Sequence, residues 1–261
     1  MDNRFYIDSH AHLSRESEPA FIDAILERAK QAHVTKIVNI CTDKETMEKG
    51  IELAKRYPWI YNTGATTPHD VEKEGEELFP LFAHHARNGD LVAIGETGLD
   101  YYYKHSEPVI QKEFLKRYLR LAKETHLPVV IHCREAFADF FQILDQEYLD
   151  NGKHLPGVLH CFTGTLDEAQ EVIKRGWYLS LSGIVTFKKS FELHEVAKIV
   201  PLENLFIETD TPFLAPQSKR GKPNEPAYIV ETAQFIADIK GISVDELLSH
   251  TNRNIMQLFK I

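Results

Sequence analysis

The residues with most chemistry to offer recur at the ends of short apolar runs. "YIDSHAHLS" (6–14) carries His10 and His12 one residue apart. In a strand, residues i and i+2 share a face, so both imidazoles point the same way. "LVAIGET" (91–97) brings Glu96, "PVVIHC" (128–133) His132, "GVLHCF" (157–162) His160 and "NLFIETD" (204–210) Asp210. Alone, each has an ordinary explanation. H-x-H is a short pattern, a strand-end histidine is often a hydrogen-bonded core residue, and an acid before a helix is often an N-cap. Their coincidence at five strand ends asks for a common cause.

Four imidazoles and two carboxylates suit divalent ions such as zinc, manganese, magnesium, nickel or cobalt. Six ligands exceed the roughly three protein ligands of a single catalytic zinc. Two ions about 3.5–4 Å apart, sharing a carboxylate, use all six. Glu96 is the expected bridge. One ion then takes His10, His12, Glu96 and Asp210, and the other takes Glu96, His132 and His160. Asp210 and Glu96 are the expected catalytic carboxylates, with Asp210 also the general base. Glu208 lies two residues before Asp210 on the same face. It either orients a ligand histidine or forms a buried ion pair with a lysine or arginine.

Such a site needs strands that end together. Eight strand candidates occur, at 5–10, 36–42, 60–66, 91–97, 128–133, 157–162, 177–185 and 204–210. Amphipathic stretches follow them, near 18–34, 43–57, 69–88, 107–126, 135–149, 165–175, 189–199 and 226–240. In 18–34, Phe21, Ile25, Leu26 and Ala29 form the expected buried face. In 107–126 it is Ile110, Phe114, Leu115, Tyr118 and Leu121. The tail 243–261 reads as two closing helices. Alternating strands and helices imply parallel pairing, and eight such units are the count of a (β/α)8 TIM barrel. A doubly wound sheet alternates too but has no need of eight strands. Residues 1–261 therefore read as a single α/β TIM-barrel domain. Along strand four Val92, Ile94 and Glu96 are expected to share the inward face. Cys133 and Cys161 each follow a ligand histidine, and alternation turns them towards the helices.

Composition narrows the setting. The chain has 261 residues, 43% hydrophobic, with a net charge of −9. That charge argues against binding nucleic acid over the whole surface and leaves room for a local basic patch. Three cysteines read as reduced core thiols of a cytoplasmic protein. No apolar run is long enough for a membrane span, no secretion signal is visible, and no obligate protein partner is evident.

The motifs "DSHAHL", "IGETGLDYYY", "PVVIHCREA", "LHCFTGT", "ETDTPFLAP" and "RGKPNEPAYI" together resemble the TatD family of metal-dependent deoxyribonucleases, in order and along the whole chain. The resemblance implies a barrel of the amidohydrolase type, two divalent metals and hydrolysis of DNA phosphodiesters. The family's metal ligands carry over onto His10, His12, Glu96, His132, His160 and Asp210. One departure is visible in "GATTPHD" (64–70). Thr67 stands where the family usually has the first histidine of His-Pro-His, and His69, the second, is kept and is expected to face substrate.

The expected substrate is DNA, single-stranded or at its ends, which makes the enzyme an exonuclease. A barrel hydrolase of another ester or amide, such as a D-aminoacyl-tRNA or a small phosphoester, is the alternative. A non-enzymatic scaffold has no need of six rim ligands. Arg134, two residues after His132, is placed to meet a phosphate with its planar fork. The loop 218–226 adds Lys219, Arg220 and Lys222, and Lys188 and Lys189 follow strand seven. Arg220 and Lys222 are the expected DNA-holding pair. Tyr101, Tyr102 and Tyr103 after strand four either stack on bases or pack their own loop.

Overall fold

A computed structural model describes residues 4–16, 18–149 and 154–261. Eight parallel strands form one sheet in chain order: β1 (Tyr6–Ala11), β2 (Val34–Cys41), β3 (Ile60–Gly64), β4 (Ala93–Asp100), β5 (Val129–Arg134), β6 (Val158–Leu159), β7 (Tyr178–Leu181) and β8 (Leu205–Ile207). The ends meet. Ala11 bridges Thr211, the His12 amide donates to the Thr211 carbonyl at 2.7 Å, and the Asp210 amide donates to the His10 carbonyl at 2.9 Å. The sheet is thereby closed into the expected TIM barrel. Outside it run α1 (Pro19–Gln31), α2 (Lys44–Arg56), α3 (Val71–Asn88), α4 (Pro108–Thr125), α5 (Phe137–Ile143), α6 (Leu166–Lys174), α7 (Phe191–Ile199), α8 (Ile229–Lys240) and α9 (Val244–Phe259).

Helix boundaries follow local chemistry. Capping boxes start α2 (Asp43 with Thr46) and α6 (Thr165 with Glu168), satisfying amides that the first turn leaves free. Gly89 and Gly241 end α3 and α8 in the left-handed region. The tail is one helix, not two. Ser243 caps it, and Leu247, Leu248, Thr251, Ile255, Leu258 and Phe259 keep a single helical stripe buried to its end. In α1 the buried face is Ile22, Ile25, Leu26 and Ala29. Phe21 is exposed, because the i, i+3, i+4, i+7 stripe starts one residue later than expected.

Two apolar layers result. The larger lies between sheet and helices and includes Ile37, Leu99, Ile131, Leu159, Leu179 and Trp177. The smaller fills the barrel with Ile7, Val38, Ile40, Ala93, Val130, Val158 and Phe206. Ile255, Leu258 and Phe259 of α9 plug its lower end. Burying each of these large side chains contributes about 1.5–3 kcal/mol. Asn254 ties the plug to β8 by donating to the Leu202 and Leu205 carbonyls, at 2.7 and 3.1 Å. With the lower end apolar and sealed, polar residues collect at the upper, carboxyl end.

Strand four departs from simple alternation. Ala93 faces the barrel interior and Ile94 the helices, the reverse of the expected face. A register shift between Ile94 and Thr97 then turns Glu96 inward. Glycine makes the shift possible. Gly95 sits within it at φ +150, and a Cβ there would lie 2.5 Å from the Val130 carbonyl oxygen.

Candidate metal centre

The upper rim brings all six expected ligands together, with His132 near the mouth and the other five buried. His10 and His12 aim their Nε2 atoms at one point, 3.3 Å apart. Asp210 Oδ1 lies 3.6 Å from the first and 3.4 Å from the second. Asp210 stands past the end of β8 at φ +61, a conformation that Asp adopts more readily than most residues. Across the mouth, His132 Nδ1 and His160 Nε2 lie 3.3 Å apart.

Glu96 stands between these two groups and faces both. Its Oε1 is 3.0 Å from His160 Nε2 and 3.1 Å from His132 Nδ1. Its Oε2 is 3.5 Å from His10 Nε2 and 3.6 Å from His12 Nε2. The His10 and His160 rings stack at 3.9 Å, so the two donor groups are contiguous.

These spacings fit metal ligation. Donors about 2.0–2.1 Å from a tetrahedral ion are about 3.3 Å apart. Octahedral neighbours at similar bond lengths are about 2.9 Å apart. The first donor set falls near the former value and the second between the two. Asp210 Oδ1 is buried and has no hydrogen-bond partner, as expected of an atom reserved for something else.

Two further carboxylates hold the imidazoles. Asp100 Oδ2 accepts from His132 Nε2 at 2.8 Å, which turns Nδ1 to Glu96 and makes it the nitrogen available to a metal. Gln111 of α4 fixes the Asp100 backbone, accepting from its amide at 2.8 Å and donating to its carbonyl at 3.0 Å. Glu208 lies 3.6 Å from His160 Nδ1 and accepts from the Cys161 amide at 2.6 Å. It therefore faces a histidine of the centre rather than a lysine or arginine. Asp100 escapes a reading by strand ends because the extended β4 carries it four residues past Glu96. The signal in the sequence was the acid in "GLDYYY".

Burial opposes charge on Glu96, His160 and His132, and pairing overrides it. The imidazoles, His160 foremost, hold the Glu96 carboxyl well below the usual carboxylate range. Glu96 in turn keeps His160 well above the usual imidazole range. His132 is also raised, by its bonds to Asp100 and then Glu96. His10 is lowered, by burial and then by His160. Below the ligands, burial pushes Asp8 up from 3.8 to about 7 despite bonds from Thr209.

The remaining expectations divide. His69 reaches the rim, 3.7 Å from Asp100 Oδ2 and 5.5 Å ring to ring from His132. Thr67 turns its hydroxyl to Asp70 at 2.9 Å and serves the start of α3. Arg134 stacks on Tyr102 and Tyr103 at 3.7 and 4.9 Å. Tyr101 packs, its hydroxyl donating to Asp139 at 2.6 Å, while Tyr102 and Tyr103 stay exposed. Arg220 and Lys222 are exposed and apart from the donor atoms, with Arg220 over Phe187 at 4.5 Å. Lys219 is taken up by Glu231 at 3.5 Å. Cys133 packs under the helices as expected, but Cys161 does not. Strand β6 ends at Leu159, and at φ +42 the Cys161 thiol turns to Ser182 Oγ, 3.2 Å away, where burial and then the charges of Asp210 and Glu208 raise it.

The family model described as TatD related DNase matches residues 7–260. The metal-dependent hydrolase YabD of Bacillus subtilis is 39% identical, covering 97% of this chain and 98% of its own. The 3'-5' ssDNA/RNA exonuclease TatD of Citrobacter koseri is 37% identical over 92% of this chain and 93% of that protein. Among solved structures, the TatD homolog YJJV from Escherichia coli superposes with a TM-score of 0.88 at 26% identity, covering 98% of both chains. The likeness runs through sequence and barrel alike, and the chain belongs to the TatD family of metal-dependent hydrolases.

Proposed function

We propose that this chain hydrolyses phosphodiester bonds of DNA with two divalent metals, acting as an exonuclease on single strands or ends. The observation that carries the reading is Glu96, whose two oxygens face two separate groups of imidazole nitrogens. His10, His12, Glu96 and Asp210 would hold one metal, and Glu96, His132 and His160 would hold the other. The name of the Citrobacter relative, a single-strand exonuclease, supports the choice of substrate.

When bound, such metals supply Lewis acidity and lower the pKa of water towards neutrality. The protein's own groups do the rest. Asp210, whose Oδ1 faces His10 and His12, takes the proton of the attacking water on its other oxygen. Asp100 keeps the outer nitrogen of His132 protonated, and the Glu208 carboxylate faces the outer nitrogen of His160, so that the inner nitrogens are the ones offered to a metal. Arg134 and His69 face the substrate's phosphate at the mouth, and Arg220 and Lys222 hold the strand farther out. Among the described residues no helix is long and apolar enough to cross a membrane, and we place the enzyme in the cytoplasm, where its three thiols stay reduced.

The test is hydrolysis of labelled single- and double-stranded DNA by metal-loaded protein, beside a panel of small esters. Cleavage of single strands from an end supports the reading. Turnover of the esters with no cleavage of either DNA refutes it.

A further inference from the structure

The rim around the centre carries two exposed aromatic surfaces on opposite sides. Phe213, just after β8, meets the His12 ring edge-on at 5.7 Å. Tyr103, after β4, meets His69 edge-on at 5.7 Å, and His69 meets His132 at 5.5 Å. One surface thus adjoins the histidine pair of β1, and the other lies one ring beyond His132 of β5. Phe213, Tyr102 and Tyr103 are 43%, 50% and 45% exposed. They are three of the six exposed Phe and Tyr side chains among the described residues.

An arginine backs each surface. Arg15 lies over Phe213 at 5.5 Å, and Arg134 over Tyr102 at 3.7 Å. Seven of the eleven arginines hold carboxylates: Arg4, Arg28, Arg56, Arg87, Arg117, Arg120 and Arg175. Arg15 and Arg134 do not, nor does Arg220, and each of these three lies on an aromatic ring. In a chain of net charge −9, leaving guanidinium groups unpaired beside a carboxylate-rich centre reserves them for anions. An exposed ring beside such a charge suits an unpaired base and its phosphate.

Building on the nuclease reading, we propose that Phe213 and Tyr103 each stack on one of the two bases flanking the scissile phosphate. Arg15 and Arg134 meet the neighbouring phosphates. The site therefore accepts only a strand whose two bases beside the cut are unpaired. A paired end has to fray by both bases before it is hydrolysed.

The experiment uses metal-loaded protein and pentathymidylate in which one 5,6-dihydrothymine is moved along the strand. Saturating the ring removes aromatic stacking and keeps the hydrogen-bonding edge. Wild-type kcat/KM at a given bond should fall about tenfold when either flanking base is saturated. Phe213→Ala should be slower on the plain strand and indifferent to saturation of one of those bases. Tyr103→Ala should be indifferent to saturation of the other. Phe213→Tyr and Tyr103→Phe should restore the wild-type pattern, which separates stacking from general damage to the rim. If both alanine variants lose the same factor as wild type at both positions, the two-sided arrangement is wrong although the enzyme is still a nuclease. If wild-type protein leaves plain pentathymidylate intact, the nuclease reading fails as well.

Discussion

Asp100→Asn changes one heavy atom and should disable one side of the centre. Asp100 Oδ1 accepts from the Tyr102 and Tyr103 amides, at 3.0 and 2.8 Å, and an asparagine oxygen can keep both bonds. Oδ2 accepts from His132 Nε2 at 2.8 Å, and an asparagine NH2 there cannot. His132 is then better served by carrying its proton on Nδ1, the nitrogen that faces Glu96 and His160. A protonated nitrogen cannot bind a metal. Losing such a partner typically lowers metal affinity or activity by about 10–100-fold, or about 1.4–2.8 kcal/mol. The fold should persist, because the backbone bonds of Gln111 and the tyrosine loop remain. Chelator competition on the purified protein measures affinity, and nitrogen NMR of His132 reports its tautomer. Affinity within twofold of wild type, with the proton still on Nε2, would refute the reasoning.

Other substitutions separate the remaining roles. Asp210→Asn keeps an oxygen donor but loses the basic one, so it should hold most of its metal and lose about 10²–10⁴-fold in rate, read by elemental analysis beside a DNA assay. Changing Arg220 and Lys222 to alanine should weaken DNA binding and reduce the salt slope by about 1–2, with metal content unchanged; an unaltered slope removes them from the DNA path. Asp8, raised from 3.8 to about 7, holds a proton in the native state that the unfolded chain has released between those values. Metal-free protein should accordingly lose stability as pH rises through that window. Asp8→Asn should then raise Tm by several degrees at pH 8 and by much less at pH 5.

The sequence made the barrel legible because its strands are short, apolar and evenly spaced, and because six ligands fall where those strands end. Inward alternation held for Val130 with His132, Val158 with His160 and Phe206 with Glu208. It failed where the backbone leaves regular geometry. On β4 Ile94 faces outside and the register shift after it delivers Glu96 inside, so the ligand was found on a face wrongly drawn. Cys161 left the helix side for the same reason, since β6 stops two residues before it and Cys161 is itself left-handed. Asp100 was missed because its role depends on α4 and on a histidine thirty-two residues away, neither of which local spacing reveals. The pairing of Arg15 with Phe213 likewise joins residues from opposite ends of the chain.

The central claim is that one carboxylate serves both halves of the centre. Elemental analysis of purified wild-type and Glu96→Ala proteins, loaded with the same metal and desalted, tests it most directly. Glu96 Oε1 and Oε2 reach separate donor sets, so wild type should retain two ions per chain. Glu96→Ala should lose most of both, with turnover abolished. A Glu96→Ala protein that still carries two ions per chain would contradict the shared bridge.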